Sequence, residues 1–259
     1  MMNAEIVLQL SPEEEELANK REELARLQAV LADRELVLAD LRAELAAFDG
    51  RYLREVGVLY AELDEWNARF AELRAEKAGT PEAQAEATEA RAQAEESYSA
   101  AHSEAAKVQP VALSPELKKL YREAAKRVHP DTAIDDADRV RRERLMKDVN
   151  LAYGKGDEDA LRRILVSLDN NPEEVRGLGI GADLIRVLRQ LRLVKDRLTA
   201  IDIELTALAG TDIALLKAKV DIAASQGLDL LAEMGVDIRG RISAVRKIFE
   251  QSTGGEARA

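Results

Sequence analysis

The sequence predicts an all-α protein in which long coiled-coil helical hairpins flank a small helical hairpin at the centre. Three observations predict this fold class. Only 3% of the residues are aromatic while 34% are charged, a mixture typical of long exposed helices and coiled coils. Large apolar residues recur at heptad spacing over much of the chain. The 6 prolines stand where helices can begin or end, not inside the periodic runs.

The first element is a long helix with a heptad row of large residues. The row consists of Leu17, Leu24, Leu31, Leu38, Leu45, Tyr52, Leu59, Trp66 and Leu73. A second row through Leu27, Leu41 and Phe48 continues one residue out of register through Val56, Leu63 and Phe70. This shift falls between Gly50 and Gly57, so we expect the packing partner to change there.

A second helix is predicted after Gly79, because Thr80 can cap it and Pro81 suits its first position. Its seam consists of small residues, Ala83, Ala87, Ala90, Ala94, Ser97 and Ala101. Such a seam permits close approach, and we expect this helix to fold back on residues 52–78. Residues 12–48 then lack a partner, so another subunit or the C-terminal region must bury their Leu seam.

The C-terminal part repeats this design. Its first helix has heptad rows made of Leu184, Leu191, Leu198 and Leu205, and of Val187, Val194, Ile201 and Leu208. Gly210-Thr211-Asp212 ends this helix and caps the next, which is predicted to extend to Gln251 and to form a second hairpin. Within one chain, the candidates to cover the Leu seam are Ile238, Ile242, Val245 and Phe249. Along the sequence we therefore predict an N-terminal coiled-coil hairpin (1–110), a central domain (111–168), a linker (169–182) and a C-terminal coiled-coil hairpin (183–259).

Composition narrows the function classes. The chain has 0 Cys and 2 His, which removes thiolate nucleophiles, disulfide frameworks and the usual zinc-ligand sets. So few aromatic residues make a compact enzyme core hard to build. We therefore expect no enzyme activity, no cofactor and no metal. No window reaches the roughly 18 apolar residues of a membrane span, so a cytoplasmic protein without a membrane partner is expected.

The central helix is amphipathic and strongly basic. It begins at Ser114-Pro115-Glu116 and carries Lys118, Lys119, Arg122, Lys126 and Arg127 beside its apolar positions. It must end at His129-Pro130-Asp131, because proline lacks an amide proton and disfavours the α conformation in the residue before it. Asp135 or Asp136 can cap the next helix, whose predicted apolar stripe is Val140, Met146, Val149, Ala152 and Tyr153. The two helices form an antiparallel hairpin that displays His129, Pro130 and Asp131 at its tip.

These residues resemble the J-domain of DnaJ-type co-chaperones. Residues 117–126 look like its helix II, His129-Pro130-Asp131 is its signature tripeptide, and Asn150-Leu151-Ala152-Tyr153 looks like the end of its helix III. The resemblance covers about residues 113–168. The usual first helix, with a Tyr-x-x-Leu-Gly pattern, is missing, and the Ala-rich helix through Tyr98 is the candidate to replace it. A short terminal helix is expected after Tyr153.

The resemblance implies stimulation of ATP hydrolysis by a DnaK-type chaperone. The basic helix, with Lys118, Lys119, Arg122, Lys126 and Arg127, would dock on the acidic nucleotide-binding domain, and the tripeptide loop would trigger hydrolysis by the partner. The residue types suit this task, because a row of cations steers an acidic partner and Asp131 can pair with an arginine across an interface. His129 would supply contact and orientation, not acid–base chemistry.

Two other interpretations remain open. A coiled-coil structural or assembly protein with an inactive J-like domain would carry the same residues, and the basic row could serve solubility alone. A nucleic-acid binder is disfavoured by the net charge of −11, although residues 111–168 carry 13 Lys/Arg against 11 Asp/Glu. The expected partners are a DnaK-type chaperone, a client or assembly bound through the coiled coils, and further copies of the chain in a homo-oligomer.

Overall fold

The computed structural model describes residues 11–133, 135–169 and 179–254, and within these ranges the chain is helical without strands. The all-α prediction is confirmed. The helices are α1 (Pro12–Tyr52), α2 (Val58–Ala78), α3 (Pro81–Ala101), α4 (Pro115–Val128), α5 (Asp136–Gly154), α6 (Glu158–Asp169), α7 (Ile180–Ala209), α8 (Asp212–Ser225) and α9 (Leu230–Gly254).

A π-helical segment, Leu53–Gly57, joins α1 to α2. A π-turn takes one residue more than an α-turn, and the heptad rows shift by one residue between Gly50 and Gly57. The segment therefore absorbs the shift that the sequence shows, and Val56 within it is fully buried.

The chain divides into two compact units that combine distant parts of the sequence. Unit 1 contains residues 1–43 and 111–209, and unit 2 contains residues 44–110 and 210–259. The predicted C-terminal hairpin is not confirmed, because α7 belongs to unit 1 while α8 and α9 belong to unit 2. The four segments 1–110, 111–168, 169–182 and 183–259 stay a prediction, and residues 170–178 of the linker lie outside the described residues.

In unit 1 the Leu seam of α1 packs against α7. The shared cluster contains Leu17, Leu24, Leu31 and Leu38 of α1 with Val187, Leu191, Val194 and Ile201 of α7. The ion pairs Arg21–Asp183 and Arg42–Glu204 connect the helices in the same order along both, so they run in parallel. The C-terminal region of the same chain therefore buries this seam. This is one of the two alternatives that the sequence leaves open. The prediction that Ile238, Ile242, Val245 and Phe249 cover the seam was wrong, because these residues pack within unit 2.

A second cluster in unit 1 joins α4, α5 and α6, and α1 contributes to it. Ala32 and Leu36 of α1 are buried with Leu117, Tyr121 and the other core residues of these helices. The predicted short terminal helix is present as α6, with Leu161 fully buried.

The prediction that the Ala-rich helix through Tyr98 replaces the missing first helix was wrong. That helix is α3 of unit 2, Tyr98 is 62% exposed, and α1 supplies the packing.

In unit 2, α3 folds back on α2 as predicted. Ala87, Ala94 and Ala101 of the small-residue seam are buried, and Arg91 of α3 bonds both Glu65 and Glu72 of α2.

The prediction of a continuous helix to Gln251 was wrong. The chain breaks between α8 and α9, where Gly227 adopts a φ of 79° that favours glycine.

Gly50 lies where two backbones approach closely in unit 2. A methyl group on Gly50 would stand 2.6 Å from the carbonyl oxygen of Val108 and 2.8 Å from that of Ala105. We expect Gly50→Ala to lower the free energy of unfolding by about 1–3 kcal/mol. The matched change Gly240→Ala in α9 meets open space and should raise it by up to about 1 kcal/mol. Urea unfolding measures both, and equal effects would contradict the close approach.

Because the Leu seam is buried within the chain, a charged residue placed in it should destabilise the fold. Leu31→Asp should lower the free energy of unfolding by about 3 kcal/mol or more, because the residue is 1% exposed and the carboxylate would lack a partner. Val37→Asp on the same helix, where the valine is 46% exposed, should cost less than about 0.5 kcal/mol. Light scattering on the same samples tests the homo-oligomer, which stays a prediction. Dissociation by Leu31→Asp without loss of stability would contradict the intrachain packing.

Candidate functional site

The basic helix α4 forms as the sequence predicts. The Ser114 hydroxyl caps it by accepting from the Leu117 amide at 2.9 Å, and Pro115 takes the first position. One face is buried, and its members are Leu117, Leu120, Tyr121, Ala124, Ala125 and Val128. The helix ends because His129, held by the following proline, adopts an extended conformation with ψ 127°.

The next helix, α5, begins at the predicted cap. The Asp135 side chain accepts from the Asp138 amide at 2.8 Å. Met146, Val149, Ala152 and Tyr153 of the predicted stripe are buried. The prediction that Val140 belongs to the buried stripe was wrong, since this residue is 49% exposed. Val140 lies more than one and a half turns before Met146 and therefore faces the other way. The buried position is Asp138, whose carboxylate accepts from Arg141 and Arg142.

His129 is buried, contrary to the expected display at the tip of the hairpin. The residue is only 3% exposed. Its Nε2 lies 3.1 Å from Oε1 of Glu35 on α1, and the Nε of Arg197 on α7 donates to the same oxygen at 2.8 Å. The loop is therefore covered by two helices from distant parts of the chain, which the local pattern of the hairpin does not reveal.

Hydrogen bonds within the loop define the direction of the His129–Glu35 bond. The Asp131 amide donates to Nδ1 of His129 at 3.2 Å. Since Nδ1 accepts, Nε2 is the nitrogen that carries the proton and donates it to Glu35. Thr132 continues the network, because its hydroxyl donates to the His129 carbonyl at 2.7 Å and its own carbonyl accepts from Gln190 of α7 at 3.1 Å.

Pro130 and Asp131, the other two tripeptide residues, are half-buried. The Asp131 carboxylate lies 3.7 Å from Nδ1 of His129. Burial raises the pKa of the Asp131 carboxyl above its ordinary range, although the positive charge of Arg197 opposes this effect. The Asp131 side chain is 23% exposed, so part of it remains in contact with solvent.

The basic row of α4 is divided between internal ion pairs and exposed cations. Lys118 donates to Asp40 at 2.8 Å and Arg122 donates to Asp33 at 2.7 Å. Both acidic partners belong to α1. Lys119 and Lys126 are exposed, and Arg127 is half-buried, with its carbonyl accepting from Arg142 at 2.8 Å.

Two tyrosines attach the end of α5 and the middle of α4 to α1. The Tyr121 hydroxyl donates to Oδ1 of Asn150 at 2.7 Å and lies 3.4 Å from the Glu35 carbonyl, and the Tyr153 hydroxyl bonds Asp40. Burial raises the pKa of both tyrosines. Asn150 and Tyr153 of the resemblance motif therefore have structural partners.

Sequence reasoning missed the contribution of α1 to this site. The signal that could have revealed it is a second apolar stripe, Ala32, Leu36 and Ala39, which lies beside the Leu row at four- and three-residue spacing. Ala32 and Leu36 are buried in the α4–α5–α6 core and Ala39 packs against it. Glu35 lies between the two stripes. Among the described acidic residues of α1, it is the only one that is buried.

Other kinds of site were also sought in the described part of the chain. Residues 11–133, 135–169 and 179–254 contain no group of three or more His, Asp or Glu side chains arranged to hold a metal ion. Within the same ranges, no helix combines the length and apolarity needed to cross a membrane.

No protein-family model, curated protein or solved structure matches the chain.

The Glu35 carboxyl should give the unit 1 fold an acid-sensitive contribution. Burial tends to raise its pKa, but hydrogen bonds from His129 and Arg197 outweigh burial and hold the pKa below 4.5. A lowered folded-state pKa stabilises the fold above the unfolded value, and this contribution is lost as pH falls through the folded value. Glu35→Gln should therefore cost about 1–3 kcal/mol at pH 7 and progressively less below pH 4.5. Urea unfolding across this pH range measures the difference.

Glu22→Gln is the matched control, because Glu22 is exposed on the same helix. It should change stability by less than about 0.5 kcal/mol. A Glu35→Gln effect that stays constant from neutral to acidic pH would show that the charge of Glu35 contributes nothing.

Proposed function

We propose that the chain is a J-domain-like co-chaperone that stimulates the ATPase of a DnaK-type chaperone through the loop His129-Pro130-Asp131. One observation carries the proposal. The basic helix α4 and helix α5 pack as one hairpin around a common core that includes Leu117, Tyr121 and Tyr153. The tripeptide forms the turn between these two helices, as the resemblance implies.

In this function the ATP-hydrolysing groups belong to the partner. The chain supplies positive charge, from Lys119 and Lys126 at first encounter and from Lys118, Arg122 and Arg127 once docked. Long-range attraction of this kind accelerates association with an acidic surface. Asp131 offers a carboxylate for an arginine of the partner. The helices outside 111–168 would bind a client or a larger assembly, or further copies of the chain.

A second candidate is a structural or assembly protein whose J-like hairpin no longer stimulates a chaperone. The burial of His129 favours this alternative, because a residue that is 3% exposed cannot contact a partner in this arrangement. The ion pairs of Lys118 and Arg122 with α1 favour it too. Nucleic acid and membrane remain outside the proposed partners, since the net charge of −11 repels anionic surfaces.

The direct test compares the full chain with His129→Gln in a steady-state ATPase assay of a DnaK-type chaperone. Wild type should raise the ATPase rate, and His129→Gln should return it to the basal rate. The glutamine amide can still donate to Glu35, so the variant should keep its helical circular dichroism and its urea midpoint. His102→Gln is the control and should match wild type, because His102 is exposed on unit 2.

Equal stimulation by wild type and His129→Gln would contradict the co-chaperone proposal. Stimulation by neither protein, even when the loop has been shown to be accessible, would favour the structural or assembly alternative.

A further inference from the structure

We propose that α1 and α7 act as an internal competitor of the chaperone, holding the His129-Pro130-Asp131 loop closed until a segment of α1 is displaced. We call the α1 residues Asp33, Glu35 and Asp40 the acidic clasp. This inference rests on the proposed function and deepens it, because it assigns a regulation to the same site.

The first step of the argument is the burial of the tripeptide histidine. The His129 side chain is 4% exposed and that of its partner Glu35 is 5% exposed. A partner protein cannot reach either group without moving α1 or α7. Arg197 donates to Glu35 at 2.8 Å and to Glu204 at 2.6 Å, so α7 also fixes the position of Glu35.

The second step is the match of charge. The proposed docking surface on the chaperone is acidic, and the acidic clasp presents carboxylates to the same cations. Asp40 pairs with Lys118 and Asp33 pairs with Arg122. A cation that is already paired with a carboxylate of the clasp attracts a second acidic group less strongly, so the clasp and the chaperone compete for Lys118 and Arg122.

The third step concerns which contacts control opening. The Asp33–Arg122 pair has side chains that are 65% and 49% exposed, and exposed pairs of this kind contribute little. Glu35 differs, because its buried carboxylate holds the loop and α7 together. Removing Glu35 should therefore open the loop more effectively than removing Asp33.

The consequence for binding follows from the open fraction. A chaperone that binds only the open loop has an apparent affinity reduced by the fraction of molecules that are open. A variant that weakens the clasp should act at a lower concentration than wild type and reach the same maximal ATPase rate. The clasp thus sets the concentration at which the co-chaperone works.

Histidine labelling reports opening without any activity measurement. The chain has only 2 His, and His102 is exposed while His129 is buried. We would treat the full chain with diethyl pyrocarbonate and follow both histidines by mass spectrometry. His102 then serves as a reference within each molecule. Wild type should label at His102 and stay protected at His129, whereas Glu35→Ala should label at both.

The functional arm measures chaperone ATPase against the concentration of each variant. Glu35→Ala should reach half-maximal stimulation at a concentration about ten-fold below that of wild type. Adding His129→Gln to this variant should abolish stimulation. Glu22→Ala, an exposed glutamate of α1, is the matched control and should behave as wild type in both arms. Glu35→Gln keeps the side-chain shape and should give a smaller shift in the same direction, so it replaces Glu35→Ala if that variant does not fold.

The outcomes separate the inference from the proposed function. His129 labelling as fast as His102 in wild type would overturn the closed loop. An unchanged half-maximal concentration in Glu35→Ala, with stimulation still lost on His129→Gln, would overturn the clasp and leave the co-chaperone function standing. Loss of protection at His129 with no stimulation by any variant would overturn the co-chaperone function, and with it the regulatory role.

Discussion

The buried carboxylate of Glu35 is the interaction on which the closed position of the His129 loop in unit 1 depends. A carboxylate removed from water must be paired, and an unpaired one costs several kcal/mol. Its partners here come from two distant segments, His129 of the loop and Arg197 of α7. Three elements are consequently fixed against one another at one point. The Leu seam of α1 then faces α7, and its Ala32–Leu36 stripe faces α4 and α5.

Local signals made much of the fold predictable. Proline at 130 ends α4, Asp135 caps α5, and Thr80 caps α3 by accepting from the Ala83 amide. The heptad shift near Gly50 corresponds to a π-helical segment, because both describe one extra residue in the helix. These features depend on residues that are close in sequence, so a sequence pattern is sufficient to place them.

The partners of each helix were harder to predict, because they depend on contacts across the whole chain. Glutamate is seldom buried, so the sequence alone suggests that Glu35 is an exposed residue between the leucines of the seam. The small stripe containing Ala32 and Leu36 is masked by the stronger Leu row beside it. Gly227 lies within an apolar periodic run, and its left-handed φ of 79° becomes evident only in the structure. The candidate loop was therefore predicted, and its burial was not.

The two proposed functions differ in what the burial of His129 means. If the J-like domain is inactive, the buried histidine has a structural role only. For a regulated co-chaperone, the same contacts have a cost that the chaperone must overcome, and the cations of α4 change partners when it binds. A state that is closed most of the time is compatible with activity, provided that the partner binds the open form tightly enough.

A double-mutant cycle between Glu35 and His129 tests the central contact most directly. Urea unfolding of wild type, Glu35→Ala, His129→Ala and the double variant gives the coupling free energy between the two side chains. We predict a favourable coupling of about 1–3 kcal/mol, because the hydrogen bond is buried and involves a charged carboxylate. Effects that add to within about 0.3 kcal/mol would contradict the contact and the closed loop together.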